Sequence, residues 1–276
     1  GMNIDQQKSF AEHLKSEVYH RTRELADSNI KLESMNKELQ SFAYISSHDL
    51  QEPLRKIQMF AEVLMEHEYD NLSKTGRLKF EKIKSAANRM QSLINDLLAY
   101  SRADTEKRVF ELIDLKKVVG VVENDLGEEL AKKQGKVEVL SSCKLEVVPF
   151  QFRQLMYNLL SNSVKYSKSD VNPVIKIMGE TIDGSDSDDK LLIAGKRYAK
   201  ITITDNGIGF DKQFSEKIFE VFQRLHSKQE YTGTGIGLAI VKKIVQNHNG
   251  FISANGESGT GAVFQIIIPS SQSGIS

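Results

Sequence analysis

Cysteine, proline and unbalanced charge are all scarce in this 276-residue chain. The single cysteine, Cys143, cannot close an intramolecular disulfide, so a reducing, cytoplasmic setting is expected. The 37 basic residues match 37 acidic ones, with no long run of either sign, which leaves no electrostatic grip on nucleic acid or an anionic membrane. No stretch approaches the ~18 consecutive apolar residues of a spanning helix. The N-terminal segment is charged and helix-forming, without the apolar centre and cleavage site of a signal peptide. Gly1 ahead of Met2 resembles an expression scar, consistent with a fragment from which a membrane or sensory part is missing. With 39% apolar and 27% charged residues, the chain has the material for one or two folded, soluble domains.

Up to about residue 105 the sequence is nearly free of helix breakers, Pro53 and Gly76 being the exceptions after Gly1. Two long helices joined by the polar segment His67 to Thr75 are predicted there, with no strand signal. Val18, Leu25, Leu32 and Leu39 recur every seven residues, with Leu14, Met35 and Phe42 on an interleaved row that Arg21 and Ser28 interrupt. This is an imperfect parallel coiled-coil seam. Phe42, Ile45, Leu50, Ile57, Phe60 and Leu64 then trace one helix face, and Ile83, Ala86, Ala87, Met90, Leu93, Ile94 and Leu97 another. A lone helical hairpin cannot bury both stripes, so dimerisation into a four-helix bundle is expected. Pro53 has no amide hydrogen to give the carbonyl four residues back, and a local bend is expected there.

Beyond Asp104 the period changes. Strands are predicted at Lys136 to Leu140, Val174 to Met178, Lys200 to Thr204 and Ala262 to Ile268. Helices are predicted at Leu115 to Gln134, Pro149 to Tyr166, Phe214 to Phe222 and Gly237 to His248. This order indicates an α+β sandwich with helices on one face of a sheet. The acidic segment Asp183 to Asp189 lacks the glycine and distal Glu of a calcium loop and reads as a solvated hairpin connection.

Four clusters in this second region carry polar chemistry. In QLMYNLLSNSVKYS, Asn158, Asn162, Lys165 and Tyr166 share one side of a helix, with Leu155, Leu159 and Leu160 opposite. Amides facing one way with a Lys beyond them suit hydrated Mg²⁺ and the phosphates it carries. In ITITDNGIGF a strand ends at Asp205, followed by Gly207 and Gly209. A carboxylate there can accept from an exocyclic amine such as that of adenine, whereas a guanine carbonyl would be repelled. In TGTGIGLAIVKK, Gly233, Gly235 and Gly237 open an apolar helix, an arrangement that offers backbone N–H groups to phosphate. Neither the dinucleotide fingerprint nor a P-loop Lys is present. In FEVFQRLHS, Arg224 precedes that turn and can pair with a terminal phosphate.

The order and spacing of these clusters closely resemble the N, F and two glycine boxes of the catalytic domain of sensor histidine kinases, over roughly residues 110–270. Upstream, SFAYISSHDLQEPLRKI resembles the family's H box, with His48 at the phospho-acceptor position. HDLQEPL and the short QRLHSKQEYTGTGIGL lid are most similar to the phytochrome-like branch. The resemblance implies a coiled-coil linker helix over 1–40, a dimerisation and phosphotransfer domain over 41–105, and a catalytic ATP-binding domain of the GHKL (Bergerat) type over 106–276. It implies Mg²⁺ on Asn162 with support from Asn158, phosphate contacts from Lys165 and Arg224, and adenine held by Asp205. Tyr166 would border the nucleotide, and Gly207, Gly209, Gly233, Gly235 and Gly237 would shape the pocket and its lid. Asp49, where the family more often has Glu, would hold the Nδ1 proton of His48 and leave Nε2 free to attack.

A homodimer, a response-regulator receiver domain as phosphoryl acceptor, and an upstream sensor are the implied partners, with no nucleic acid among them. ATPases of the same superfamily resemble the Asn158 helix but place a water-activating Glu four residues before the metal-binding Asn. Asn158 cannot accept a proton at neutral pH, which favours His48 over water as nucleophile. A non-catalytic ATP-binding scaffold is the main alternative, and a water-using ATPase the third reading. Glu52 stands where many relatives have Thr or Asn, so weak phosphatase activity is expected. His13, His20 and His67 have no motif around them, His226 sits in the lid, and His248 in QNHNGF is expected to serve packing.

Overall fold

The computed structural model describes residues 4–105, 108–186, 192–225 and 233–272, and among these the side chains other than those of 4–11, 32–33, 36–46, 48, 102–105 and 186. The chain divides into two compact units, 1–50 and 51–276. The first unit is helical. Helix α1 (Ile4–His67) is continuous through Pro53, and the seam residues Leu14, Val18, Leu25 and Met35 are exposed in the single chain. The side chains of Leu32, Leu39 and Phe42 lie outside the described ones.

In the second unit the remainder of α1 and α2 (Lys74–Thr105) form the expected hairpin. Its turn is tighter than the polar segment suggested. Tyr69–Asn71 is a 3₁₀ turn, and the Arg77 guanidinium lies 4.4 Å over the Tyr69 ring while Nη2 donates to the Asp70 carbonyl at 3.1 Å. Leu54 from α1 packs with Ala87, Ile94 and Leu98 from α2. Gln58 donates to Asn88 at 3.0 Å across the same seam.

Five strands form one mixed sheet, in order β2-β4-β5-β7-β6: β2 Lys136–Ser141, β4 Val174–Asp183, β5 Arg197–Asp205, β6 Phe251–Glu257 and β7 Gly261–Pro269. The β2–β4 pair is parallel and the others are antiparallel. Period-2 alternation places Ile175, Ile177, Ile201, Ile203, Ile266 and Ile268 on one fully buried face. Helices α3 (Leu115–Asp125), α5 (Pro149–Lys165) and α6 (Gly237–Asn247) cover that face with Val119, Phe152, Leu155, Leu159, Ile240 and Ile244. A separate antiparallel pair, β1 (Glu111–Asp114) with β3 (Lys144–Val147), completes the fold.

Three local expectations are corrected. The predicted helix Leu115 to Gln134 is two helices, α3 and α4 (Gly127–Lys133), broken at Leu126, whose buried side chain and ψ of 8° turn the chain before Gly127. The predicted helix Phe214 to Phe222 is a pair of 3₁₀ turns, Lys212–Phe214 and Lys217–Phe219. There the buried pair is Ile218 and Phe219, adjacent in sequence, while Phe222 is exposed with φ +66°. A helix would have required Phe222 on the buried stripe with Ile218. Strands β1, β3 and β6 were not predicted; β1 and β3 are four residues each, and β6 carries Asn255 and Gly256 against strand propensity. The acidic segment begins at Asp183, the last residue of β4; residues 187–189 of it lie outside the described residues.

Candidate nucleotide site

The asparagine helix α5 is fixed by its apolar side. Phe152, Leu155, Met156, Leu159 and Leu160 are fully buried, which turns Asn158, Asn162 and Lys165 toward α6 and the β5–α6 region. Tyr166 terminates the helix, its amide donating to the Asn162 carbonyl at 2.9 Å, and its own carbonyl accepts from Ile208 at 2.9 Å. The Lys165 ammonium lies 4.4 Å over the Tyr166 ring and donates to its hydroxyl at 3.0 Å.

Asp205 ends β5 on the pocket floor. Its Oδ1 accepts from the Gly207 and Ala262 amides at 2.9 and 3.2 Å, and Oδ2 accepts from the Ser163 hydroxyl at 3.1 Å. Burial pushes this carboxyl above its ordinary range, and the three donors act the other way. They hold it as an acceptor with lone-pair capacity left on Oδ2.

The turn after Asp205 needs its glycines. Gly209 has φ +65°, and a Cβ there would collide with the Glu257 carbonyl. Gly207 lies against the Tyr166 carbonyl, too close for a side chain. Gly235 has φ +77° and lies against the backbone of Phe222 and Gln223. Gly237 starts α6 facing Asn158, whose Oδ1 is 3.6 Å from where a Cβ would stand. Arg224 Nη1 donates to the Gly233 carbonyl at 2.9 Å, and the Lys165 ammonium abuts Gly233 from the other side.

Together these elements enclose a half-open cavity of about 100 Å³. Asn162, Tyr166, Asp205, Gly209 and Arg224 line it directly. Asn158, Lys165, Gly207, Gly233, Gly235 and Gly237 stand around them. Sequence reasoning missed the apolar wall, Phe210, Ile218, Leu225, Leu238 and Phe264, and the floor residue Ser163. A signal existed for Phe210 and Leu238, which directly follow the glycines of their turns. Among the described residues, Asp205 is the one acidic side chain lining this cavity. His48 and Asp49 belong to the first unit; the His48 side chain and all of His226 lie outside the described residues.

The site has donors and oxygens suited to a metal-bound polyphosphate. Asn158 Nδ2 is buried with no acceptor, a donor suited to a phosphate oxygen, while its Oδ1 accepts from Gln154 at 3.4 Å. No three His, Cys, Asp or Glu side chains converge as metal ligands among the described residues. A hard cation here would bind through asparagine oxygen, phosphate oxygens and water, the set Mg²⁺ takes.

His248, expected to serve packing, does so. It is fully buried, with Nδ1 bonded to the Ile244 carbonyl at 2.7 Å, Nε2 accepting from the Val148 amide at 2.9 Å, and Phe110 packed edge-on at 5.5 Å. These two bonds require the neutral Nδ1–H tautomer. No described helix is long and apolar enough to cross a membrane.

Two family models match the chain: His Kinase A (phospho-acceptor) domain over residues 38–106, and Histidine kinase-, DNA gyrase B-, and HSP90-like ATPase over residues 148–272. Phytochrome-like protein Cph1 of Synechocystis sp. is 34% identical over 91% of the chain, and Cyanobacterial phytochrome A of Nostoc sp. 36% identical over 91%. The chain spans about a third of the length of these curated relatives, 32% and 31%. Full-length ShkA in complex with AMPPNP shares the fold with a TM-score of 0.62 at 20% identity, covering 83% of this chain and 45% of that one. Acinetobacter baumannii histidine kinase AdeS does so with a TM-score of 0.55 at 20% identity, covering 82% and 98%. A phospho-acceptor helical hairpin followed by a domain of the ATP-binding family, with phytochrome-like relatives along nine-tenths of its length, places the two matched domains of this chain in the histidine kinase family, in company with phytochrome-like proteins.

Proposed function

We propose that this chain autophosphorylates His48 from Mg·ATP and passes the phosphoryl group to an aspartate of a response-regulator receiver domain. The observation that carries the proposal is the pairing of a carboxylate floor at Asp205 with an asparagine face at Asn158 and Asn162. Asp205 accepts the adenine amine, and Tyr166 borders the nucleotide. Asn162 holds Mg²⁺ with support from Asn158, and Lys165 and Arg224 meet the phosphates. Mg²⁺, held by those asparagines, would supply positive charge against the charge that develops on the phosphates during transfer.

Asp205 is tied by three donors and Asn158 cannot take a proton, so among the described lining residues none is suited to activate water. His48 Nε2 then attacks the γ-phosphorus, the bond to the β-phosphate oxygen breaks, and ADP leaves. Asp49 takes the orienting bond from Nδ1–H. In the second step a receiver aspartate oxygen attacks the phosphohistidine and the imidazole leaves.

Residues 1–40 are assigned as a linker coiled coil, 41–105 as the dimerisation and phosphotransfer domain and 106–276 as the catalytic domain. The hairpin supports a homodimer, because Ile57, Phe60 and Leu64 form an exposed apolar stripe at i, i+3 and i+7. A parallel seam through Val18 and Leu25 extends that interface.

The test is incubation with Mg²⁺ and γ-labelled ATP, beside His48→Gln and Asn162→Ala. Acid-labile, alkali-stable label that both substitutions abolish is expected. ATP binding without label would favour the non-catalytic scaffold.

A further inference from the structure

Asp96, in the C-terminal third of α2, belongs to none of the motifs above, yet its carboxylate reaches the glycine turn of the nucleotide pocket. Thr234 Oγ1 donates to Asp96 Oδ2 at 2.5 Å, at the short end for a hydroxyl on a carboxylate. The same hydroxyl accepts from the Ile236 amide at 3.3 Å, so Thr234 bridges α2 to the start of α6. Leu93 and Tyr100 flank Asp96 at i−3 and i+4, on the same face of α2, and pack against the core of the ATP-binding domain. Ile94 and Leu98 point instead to Leu54 of α1. Helix α2 therefore has two apolar faces, and Asp96 sits in the middle of the one that docks the nucleotide domain.

The ground around that carboxylate is the positive end of the pocket. Gly233, beside Thr234, accepts from Arg224 and touches the Lys165 ammonium. Burial raises the Asp96 carboxyl, while the Thr234 hydroxyl and the Lys165 charge act in the opposite direction, so Lys165 is felt at Asp96. A carboxylate and a terminal phosphate are both anionic acceptors, and both call on the same cation and the same helix start.

We propose that Asp96 is a resident competitor of the nucleotide's terminal phosphates: it latches the Thr234 turn to α2, and ATP must displace it before phosphoryl transfer. This rests on the kinase reading and adds to it a brake built into the hairpin. A shift of α2 that withdraws Asp96 from Thr234 releases the turn, which gives a signal arriving along the helices a direct route to the pocket.

The test uses the whole chain with Asp96→Asn, Thr234→Val and the pair combined. Affinities for AMPPNP and for adenosine are measured by calorimetry, and the initial rate of labelling from γ-labelled ATP is followed in parallel. Each single variant is expected to bind AMPPNP about threefold or more tightly, as loss of a hydrogen bond to a charged group predicts. Adenosine affinity stays as in the parent chain, initial labelling is faster, and the double variant gains no more than the better single one. Unchanged or weaker AMPPNP binding in both single variants, with the parent chain binding normally, overturns the latch. An equal gain for adenosine overturns competition with the phosphates. A parent chain that neither binds AMPPNP nor takes label overturns the kinase reading, and the latch with it.

Discussion

The Ser163 hydroxyl donates to Asp205 Oδ2 at 3.1 Å, joining the asparagine helix to the end of β5 on the pocket floor. Removing it in Ser163→Ala takes away one of three donors that oppose the burial of Asp205. Affinity for ATP should fall by about tenfold, on the order of one hydrogen bond to a charged group. Calorimetric titration with AMPPNP checks it.

Asp205→Asn separates stability from binding. The folded carboxyl is raised above its unfolded value, so the folded state binds more protons than the unfolded one and stability falls as pH rises through that range. At neutral pH this cost is fully present, and a neutral amide removes it. The nucleotide-free variant should melt at or above the parent temperature. ATP affinity should drop by about tenfold or more, because the amide presents a donor to the adenine amine, while GTP loses less. A lower melting temperature with unchanged ATP affinity would contradict both halves.

His248 gives a pH signature to the fold. Burial first, and the Arg108 charge after it, push its value below the usual one, with the bond to the Ile244 carbonyl acting the other way. As pH falls below about 6.5, the unfolded chain takes up a proton that the folded chain refuses, so stability drops with falling pH until the folded imidazole also titrates. Melting temperatures across pH 5 to 7.5 should slope upward with pH, and His248→Gln, although less stable, should lose most of that slope.

Leu54→Ala opens a cavity between α1 and α2 where Leu54 is 2% exposed. The cost should be about 2–5 kcal/mol, read by urea denaturation at fixed protein concentration. Because Ile57, three residues on, is 47% exposed in the single chain, Ile57→Ala should weaken dimerisation more than it destabilises the hairpin, as sedimentation would register.

Glu52 is paired with Lys56 at 2.9 Å on the surface of α1, an exposed pair that adds little stability. With His48 as the proposed acceptor four residues earlier in the sequence, the negative charge of Glu52 should disfavour approach of a phosphorylated receiver. Rapid loss of phosphate from a purified regulator, on adding this chain with ADP, would contradict that expectation, whereas Glu52→Asn should speed the loss.

The residues brought to the cavity by short-range geometry were the legible ones. Asn158, Asn162 and Lys165 are spaced by the helix that carries them, and Asp205 and Gly209 by the strand end they follow, so local periodicity placed them together, while their expected roles came from the family resemblance. The α2 stripe was legible as apolar but not as two faces: Leu93 and Ile94 are neighbours in sequence, yet they pack against different partners. The turn after Asp211 deceived the helical period because Phe222 takes a positive φ that no pattern announces. Asp96 was not legible at all, since its partner Thr234 lies 138 residues away and only tertiary packing joins them.

The central claim is that the asparagine-lined pocket feeds its phosphoryl group to His48 and not to water. Mass spectrometry of the chain after incubation with Mg·ATP, digested near neutral pH, tests it most directly. The account predicts one phosphoryl group on the peptide containing His48, absent from Asn162→Ala. Steady phosphate release that His48→Gln leaves unchanged, with no modified peptide, would contradict it.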